Sequence, residues 1–214
     1  MVPHFVMEEK KVILFVDSSN LYHSLKRLDF NPSQVDYLKL FELITKRKNP
    51  TVRFYTAMKR AESGVRQQAN QQVFHNVLKR NPNLSIHLGK LQKIHDDSED
   101  IQIVVKALNF CKNCLSKAYT LIGTFRNNNK FKEKGVDVQI AVDLITLCEN
   151  KSYDSAIILS GDADLVPAVK FVVSKYGPII INAYFGNSSG IELRNACQNK
   201  QFEITKNIIK QCSK

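Results

Sequence analysis

The chain has 214 residues, 43% hydrophobic and 24% charged, a balance that excludes a disordered tail or a disulfide-dense miniprotein and allows one well-packed domain. No run reaches the roughly 18 apolar residues of a membrane span, the opening MVPHFVMEEKK lacks the basic start and apolar stretch of a leader, and five cysteines at irregular spacing point to reduced thiols, so a soluble, cytoplasmic protein with no membrane partner is expected. The 31 Lys and Arg against 20 Asp and Glu leave a net charge of +11, which makes polyanions natural partners.

Along the chain, KVILFV at 11–16 reads as a β-branched strand buried on both faces and running into Asp17. The SSN that follows supplies N-cap side chains for an amphipathic helix, LYHSLKRL, with Leu21, Leu25 and Leu28 on one stripe. A second helix spans 35–46, a strand 51–58, a long polar helix about 62–80, and LSIHL at 84–88 forms another strand. Residues 101–108, IQIVVKAL, fit either a strand or the start of a helix, and RNNNKFKEK at 126–134 reads as an exposed, basic loop. From Gly135 the order is regular: a helix VDVQIAVDLITLCEN with Asp137, Ala141, Leu144 and Cys148 on a stripe, a strand at 155–161, a helix at 163–176, a strand at 178–185 and a helix at 189–197, with FEIT at 202–205 as a short edge strand. This alternation predicts an α/β fold with a mostly parallel sheet and helices on both faces. No linker or repeat divides the chain, so residues 1–214 are expected to form a single domain with an embellishment at about 89–134.

Two strands end in acids: the first in Asp17, and AIILSG in Asp162 and Asp164. Ligands of open parallel sheets bind beyond the carboxyl ends of the strands, where strand order reverses. If these strands are neighbours, three carboxylates meet there, and Asp137, at the start of the helix leading into the second strand, lies at the same edge. Four such groups repel unless a hard divalent ion such as Mg²⁺ or Mn²⁺ neutralises them. Each acid also has a plainer reading. Asp17 can cap the helix after it, and Asp137 can be a first-turn acid on a helix dipole. Asp143, six positions beyond Asp137 and about 120° further around the helix, reads as a supporting acid rather than a ligand.

FVDSSN at 15–20, KGVDVQIAVDLI at 134–145 and LSGDADLVPAVKFV at 159–172, with the closing ELRNAC, resemble the NYN domain family of LabA-like proteins, relatives of PIN and 5′-nuclease domains. The resemblance covers residues 11 to about 205, with the blocks in the family's order. It implies a PIN-like three-layer sandwich, a metal site of Asp17, Asp137, Asp162 and Asp164, supporting roles for Asn20 and Ser160, and RNA as substrate. The expected activity is metal-dependent hydrolysis of RNA phosphodiester bonds, with Asn20 orienting the attacking water or a bound phosphate. The alternative is a non-catalytic RNA-binding or regulatory module of the same fold; a nuclease acting on DNA is a third reading.

Arg126, Lys130, Lys132 and Lys134 precede the acidic helix and are the candidate phosphate contacts, with Phe125 and Phe131 either stacking on bases or packing under the loop. Cys111 and Cys114 form CKNC. A structural Zn²⁺ there needs two more ligands, for which His87 and His95 are the available residues, and ordinary reduced thiols are the simpler reading.

Overall fold

The computed structural model describes residues 10–57, 65–93, 103, 105–108, 110–126, 131–186 and 190–213. Seven strands form one sheet in the order β4-β3-β2-β1-β5-β6-β7. They are β1 (Val12–Asp17), β2 (Thr51–Ala57), β3 (Leu84–Lys93), β4 (Phe131–Lys134), β5 (Ser155–Leu159), β6 (Ile179–Phe185) and β7 (Gln201–Ile204). Six strands run parallel, and β4 pairs antiparallel with the far half of β3 at one edge. Order reverses at β1, which pairs with β2 on one side and β5 on the other, with Val16 opposite Leu159.

The period-two alternation of β1 divides the core into two layers. Leu14 and Val16 face α1 (Ser18–Arg27), α2 (Tyr37–Thr45) and α8 (Lys206–Gln211), packing with Leu21, Leu25, Phe41 and Ile209. Ile13 and Phe15 point the other way, against α5 (Val136–Glu149), α6 (Val166–Tyr176) and α7 (Ile191–Ala196), through Ile140, Leu144, Val169 and Leu193. The fold is the mixed α/β sandwich expected, with helices on both faces of a PIN-like sheet.

Several sequence expectations need correcting. The stretch 126–134 is not a loop throughout: Arg126 is the last residue of α4 (Lys112–Arg126), and Phe131–Lys134 form β4. A charged edge strand is held by backbone bonds to a single neighbour and needs no apolar alternation, so it reads as a loop. The 84–88 strand runs on to Lys93, since β4 supplies a partner beyond the end of β2. Of 101–108, Ile103 and 105–107 are helical. The long polar helix is described as α3 (Val65–Leu78), its expected start lying outside the described residues. The buried stripe of α5 is Val136, Ile140, Leu144 and Cys148, one residue off the expected register in its first half. Val136 takes the sheet-facing position directly after Gly135, which turns Asp137 about 100° away, toward the sheet's carboxyl edge.

Candidate metal centre

β1 and β5 lie side by side, so their carboxyl ends open at the reversal point. Asp17, 5% exposed, is the N-cap of α1: its Oδ1 accepts the backbone N–H groups of Ser19 at 3.0 Å and Asn20 at 3.1 Å. Its Oδ2 accepts the Ser160 hydroxyl at 3.0 Å, and Ser160 Oγ accepts the Asp162 N–H at 3.1 Å. One buried hydroxyl thus ties the end of β1 to the turn after β5. Asp162 caps that turn in the same manner, its Oδ1 accepting the Asp164 N–H at 2.9 Å. Asn182 on β6, fully buried, braces the strand end behind them, donating from Nδ2 to the carbonyls of Ser160 at 2.8 Å and Ile158 at 3.0 Å.

Asp137 approaches from α5. The helix is entered through Gly135 at φ +83°, a left-handed backbone that a residue with a Cβ adopts at a cost. One carboxylate oxygen from each of Asp137, Asp162 and Asp164 lies within 4.8 Å of the others. Burial raises the pKa of Asp137 to about 6, and the nearby charges of Asp17, Asp162 and Asp164 push in the same direction. Asp17 is therefore close enough to act electrostatically but stands outside the three-carboxylate cluster, with both oxygens engaged in capping and in the Ser160 bond. The cap is the role that its flanking SSN predicts.

Asn20, Gly161, Asp162, Ala163, Gly190 and Glu192 line an open cleft of about 460 Å³ beside the cluster. Gly190 is required by close approach: a Cβ there would stand 2.9 Å from the Cα of Gly161. Glu192, in the first turn of α7, was not singled out from the sequence; its one signal is an acid just after a glycine, in the ELRNAC block.

Asp143 lies elsewhere. Its Oδ2 accepts from Arg53 Nη2 at 2.7 Å, from Arg53 Nε at 3.2 Å and from the Tyr55 hydroxyl at 2.7 Å. His87 stacks on Tyr55 with ring centroids 4.9 Å apart, its Nε2 2.9 Å from Ser85 Oγ and its Nδ1 3.9 Å from Asp143. Burial and then the Arg53 charge lower the His87 pKa, against the opposite pull of Asp143. The group anchors α5 to β2 and β3. Arg53 and Tyr55 went unnoticed in the sequence, although an arginine two positions from a tyrosine on one face of an apolar strand is a sign that an acid faces them.

Of the basic residues, Lys134 is exposed and lies opposite Lys90 in the β3–β4 register, and Lys132 lies opposite Gln92. Arg126 ends α4; Lys130 lies outside the described residues, as does His95. Among the described residues, no group of three potential metal ligands includes Cys111 or Cys114.

A parallel sheet with helices on both faces and clustered carboxylates at its reversal point is the architecture of a PIN-like fold. The chain belongs to the NYN domain family, whose model matches residues 11–122 and 114–204, a family that generally contains ribonucleases. Its fold is similar to the crystal structure of VPA0982, a protein of unknown function from Vibrio parahaemolyticus RIMD 2210633, with a TM-score of 0.55 and 14% identity over 94% of each chain. No curated protein matches the chain.

Proposed function

We propose that this chain is a metal-dependent endoribonuclease that hydrolyses RNA phosphodiester bonds at Asp137, Asp162 and Asp164, with Asp17 as the buried acid behind them. The observation that carries the reading is the three-carboxylate cluster at the reversal of strand order. All its donors are hard oxygens, and Asp137 is already held toward its protonated form by burial and then by its acidic neighbours. Such a set suits Mg²⁺ or Mn²⁺, with Asp137, Asp162 and Asp164 as the ligands. A bound divalent ion lowers the pKa of a coordinated water and stabilises charge on a phosphoryl oxygen.

The chain's own groups do the rest. Ser160 fixes Asp17 and the Asp162 backbone in one arrangement, so the ligand turn is preorganised by a hydroxyl no longer available to solvent. Asn20 lines the cleft and can orient a phosphate or the attacking water. Lys90, Lys132 and Lys134, with Arg126 and Lys130 nearby in sequence, supply positive charge ahead of Asp137 for the RNA backbone. A purely binding module has no use for three clustered carboxylates beside its phosphate contacts, which favours catalysis. No helix among the described residues is long and apolar enough to cross a membrane. All five cysteines are free thiols, which supports a cytoplasmic setting, and the continuous sheet supports a single domain.

The test is incubation of the purified protein with end-labelled RNA and DNA in Mg²⁺, Mn²⁺ or EDTA. Cleavage of RNA with either ion, abolished by EDTA and by Asp162→Asn, is the expected result. Metal-independent cleavage that persists in Asp162→Asn, or no cleavage of any RNA, overturns the reading.

A further inference from the structure

The polar group that anchors α5 contains one contact that the anchoring does not use. Ser85 and His87 are two positions apart on β3 and so share a face of the sheet. Ser85 Oγ lies 2.9 Å from His87 Nε2, closer than its 3.5 Å contact with the Val52 carbonyl. On its other side the ring presents Nδ1 to Asp143 Oδ2 at 3.9 Å. A hydroxyl and a carboxylate therefore stand at the two nitrogens of one imidazole.

The negative charge on the Nδ1 side favours the tautomer that carries its proton there, which leaves the Nε2 lone pair to accept the Ser85 O–H. Tyr55, opposite His87 in the β2–β3 ladder, sets the plane of the ring by stacking on it with an interplanar angle of 26°. Arg53, directly opposite Ser85, holds Asp143 through two nitrogens and brings a positive charge beside the serine. Among the described residues, the charged and titratable groups facing the ring are thus Arg53 and Tyr55 from β2 and Asp143 from α5. Burial and then the Arg53 charge lower the His87 pKa, which keeps more of the ring in the free-base form that a proton acceptor needs. Ser85 is exposed and the His87 side chain is 26% exposed, so solvent reaches both.

We propose that Ser85 is a nucleophile toward small carboxylic esters, with His87 as its general base, Asp143 as the positioning residue behind the imidazole and Arg53 as the cation for the oxyanion. Ser85 Oγ attacks the ester carbonyl carbon while its proton passes to His87 Nε2. The bond from that carbon to the alcohol oxygen breaks, and the proton on His87 leaves with the alcohol. Water then attacks the acyl-serine, one of its protons returning through His87 to Ser85 Oγ as the acid departs. One ester and one water become one acid and one alcohol. No step touches Asp137, Asp162 or Asp164, so the proposal stands apart from the nuclease reading.

The probes are diisopropyl fluorophosphate and p-nitrophenyl acetate, applied to the full chain in EDTA. The first should phosphorylate Ser85 with loss of fluoride, a label read by mass spectrometry on tryptic peptide 81–90, which holds no other serine. The second should be hydrolysed faster by the parent than by Ser85→Ala. His87→Gln should slow labelling at least about 100-fold, and the urea-unfolded chain should not label. Asp143→Asn removes a charge that raises the His87 pKa, so the midpoint of labelling rate against pH should move to lower pH, which loosened packing alone does not produce. Absence of the label, or equal labelling of His87→Gln or of the unfolded chain, overturns the nucleophile. Labelling without Ser85-dependent release of p-nitrophenolate overturns the ester as substrate class, and an unmoved midpoint overturns the role of Asp143.

Discussion

At the scale of single residues, the cluster is a set of charges held closer than they would choose. Replacing Asp137 or Asp162 by Asn removes one charged ligand with little change of shape. RNA cleavage should fall by more than about 100-fold, beyond the loss typical of groups that only support a ligand, with an unchanged circular dichroism spectrum. Ser160→Ala removes a support and should fall between, losing about 10- to 100-fold. The raised pKa of Asp137 gives a second expectation with a definite sign. Its folded-state value of about 6 exceeds the roughly 3.9 of an unfolded aspartate, so the folded chain holds this proton more tightly. The resulting stability is fully present below about pH 4 and lost as pH rises through about 6. In EDTA, Asp137→Asn should therefore melt higher than the parent at pH 7, and the gap should close as pH falls toward 4. Mn²⁺ should reverse the order at pH 7 by stabilising the parent alone. A gap that does not change with pH would remove Asp137 from the cluster's electrostatics.

At the scale of elements, the position of α5 rests on Asp143. Asp143→Asn leaves the partly exposed Arg53 guanidinium with a weaker acceptor, and urea unfolding should show a loss of about 1–3 kcal/mol. Gly190→Ala tests the other wall of the cleft. Its Cβ would meet the Gly161 backbone rather than a flexible side chain, so a destabilisation of about 1–3 kcal/mol is expected, again by urea midpoint. These elements also mark what a sequence can reveal. The strands ending in Asp17 and at Leu159 were legible because β-branched runs buried on both faces have few other readings, and the start of α5 because Gly135 announces it. The bond between Asp143 and Arg53 joins residues 90 positions apart, which no local periodicity encodes. β4 carries three charges in four residues and hid for the same reason that it works as an edge: a single Phe131 before three charged residues gives no apolar alternation to read. That Asp17 accepts N–H groups at the head of α1 was legible from its flanking SSN, because a carboxylate followed by small polar residues at a strand end is a natural helix cap.

At the scale of the whole molecule, a chain of net charge +11 concentrates several of its acids at one mouth, with the paired Lys90 and Lys134 on the ribbon beside it. The expected division of labour is that the ribbon sets affinity and the acids set rate. Changing Lys90, Lys132 and Lys134 together to Ala, in the Asp162→Asn background, should weaken RNA binding and reduce the slope of log K against log salt by about 0.7 for each phosphate that the protein no longer neutralises. Titrations at several salt concentrations measure that slope directly, and an unaltered value would move the binding surface off the β3–β4 edge.

The strand order also governs when the chain can become active. The hydrogen bond from Ser160 to Asp17 closes a loop of 143 positions, and β1 lacks its second neighbour until β5 has been made. Early in synthesis, the N-terminal half can form only the β1–β2–β3 side of the sheet, which holds none of the three clustered carboxylates. Long-range pairing of this kind is slow because loop entropy must be overcome before any native pairing rewards it. The centre is consequently assembled late, and a chain released before β5 emerges from the ribosome carries Asp137 alone of the three clustered carboxylates.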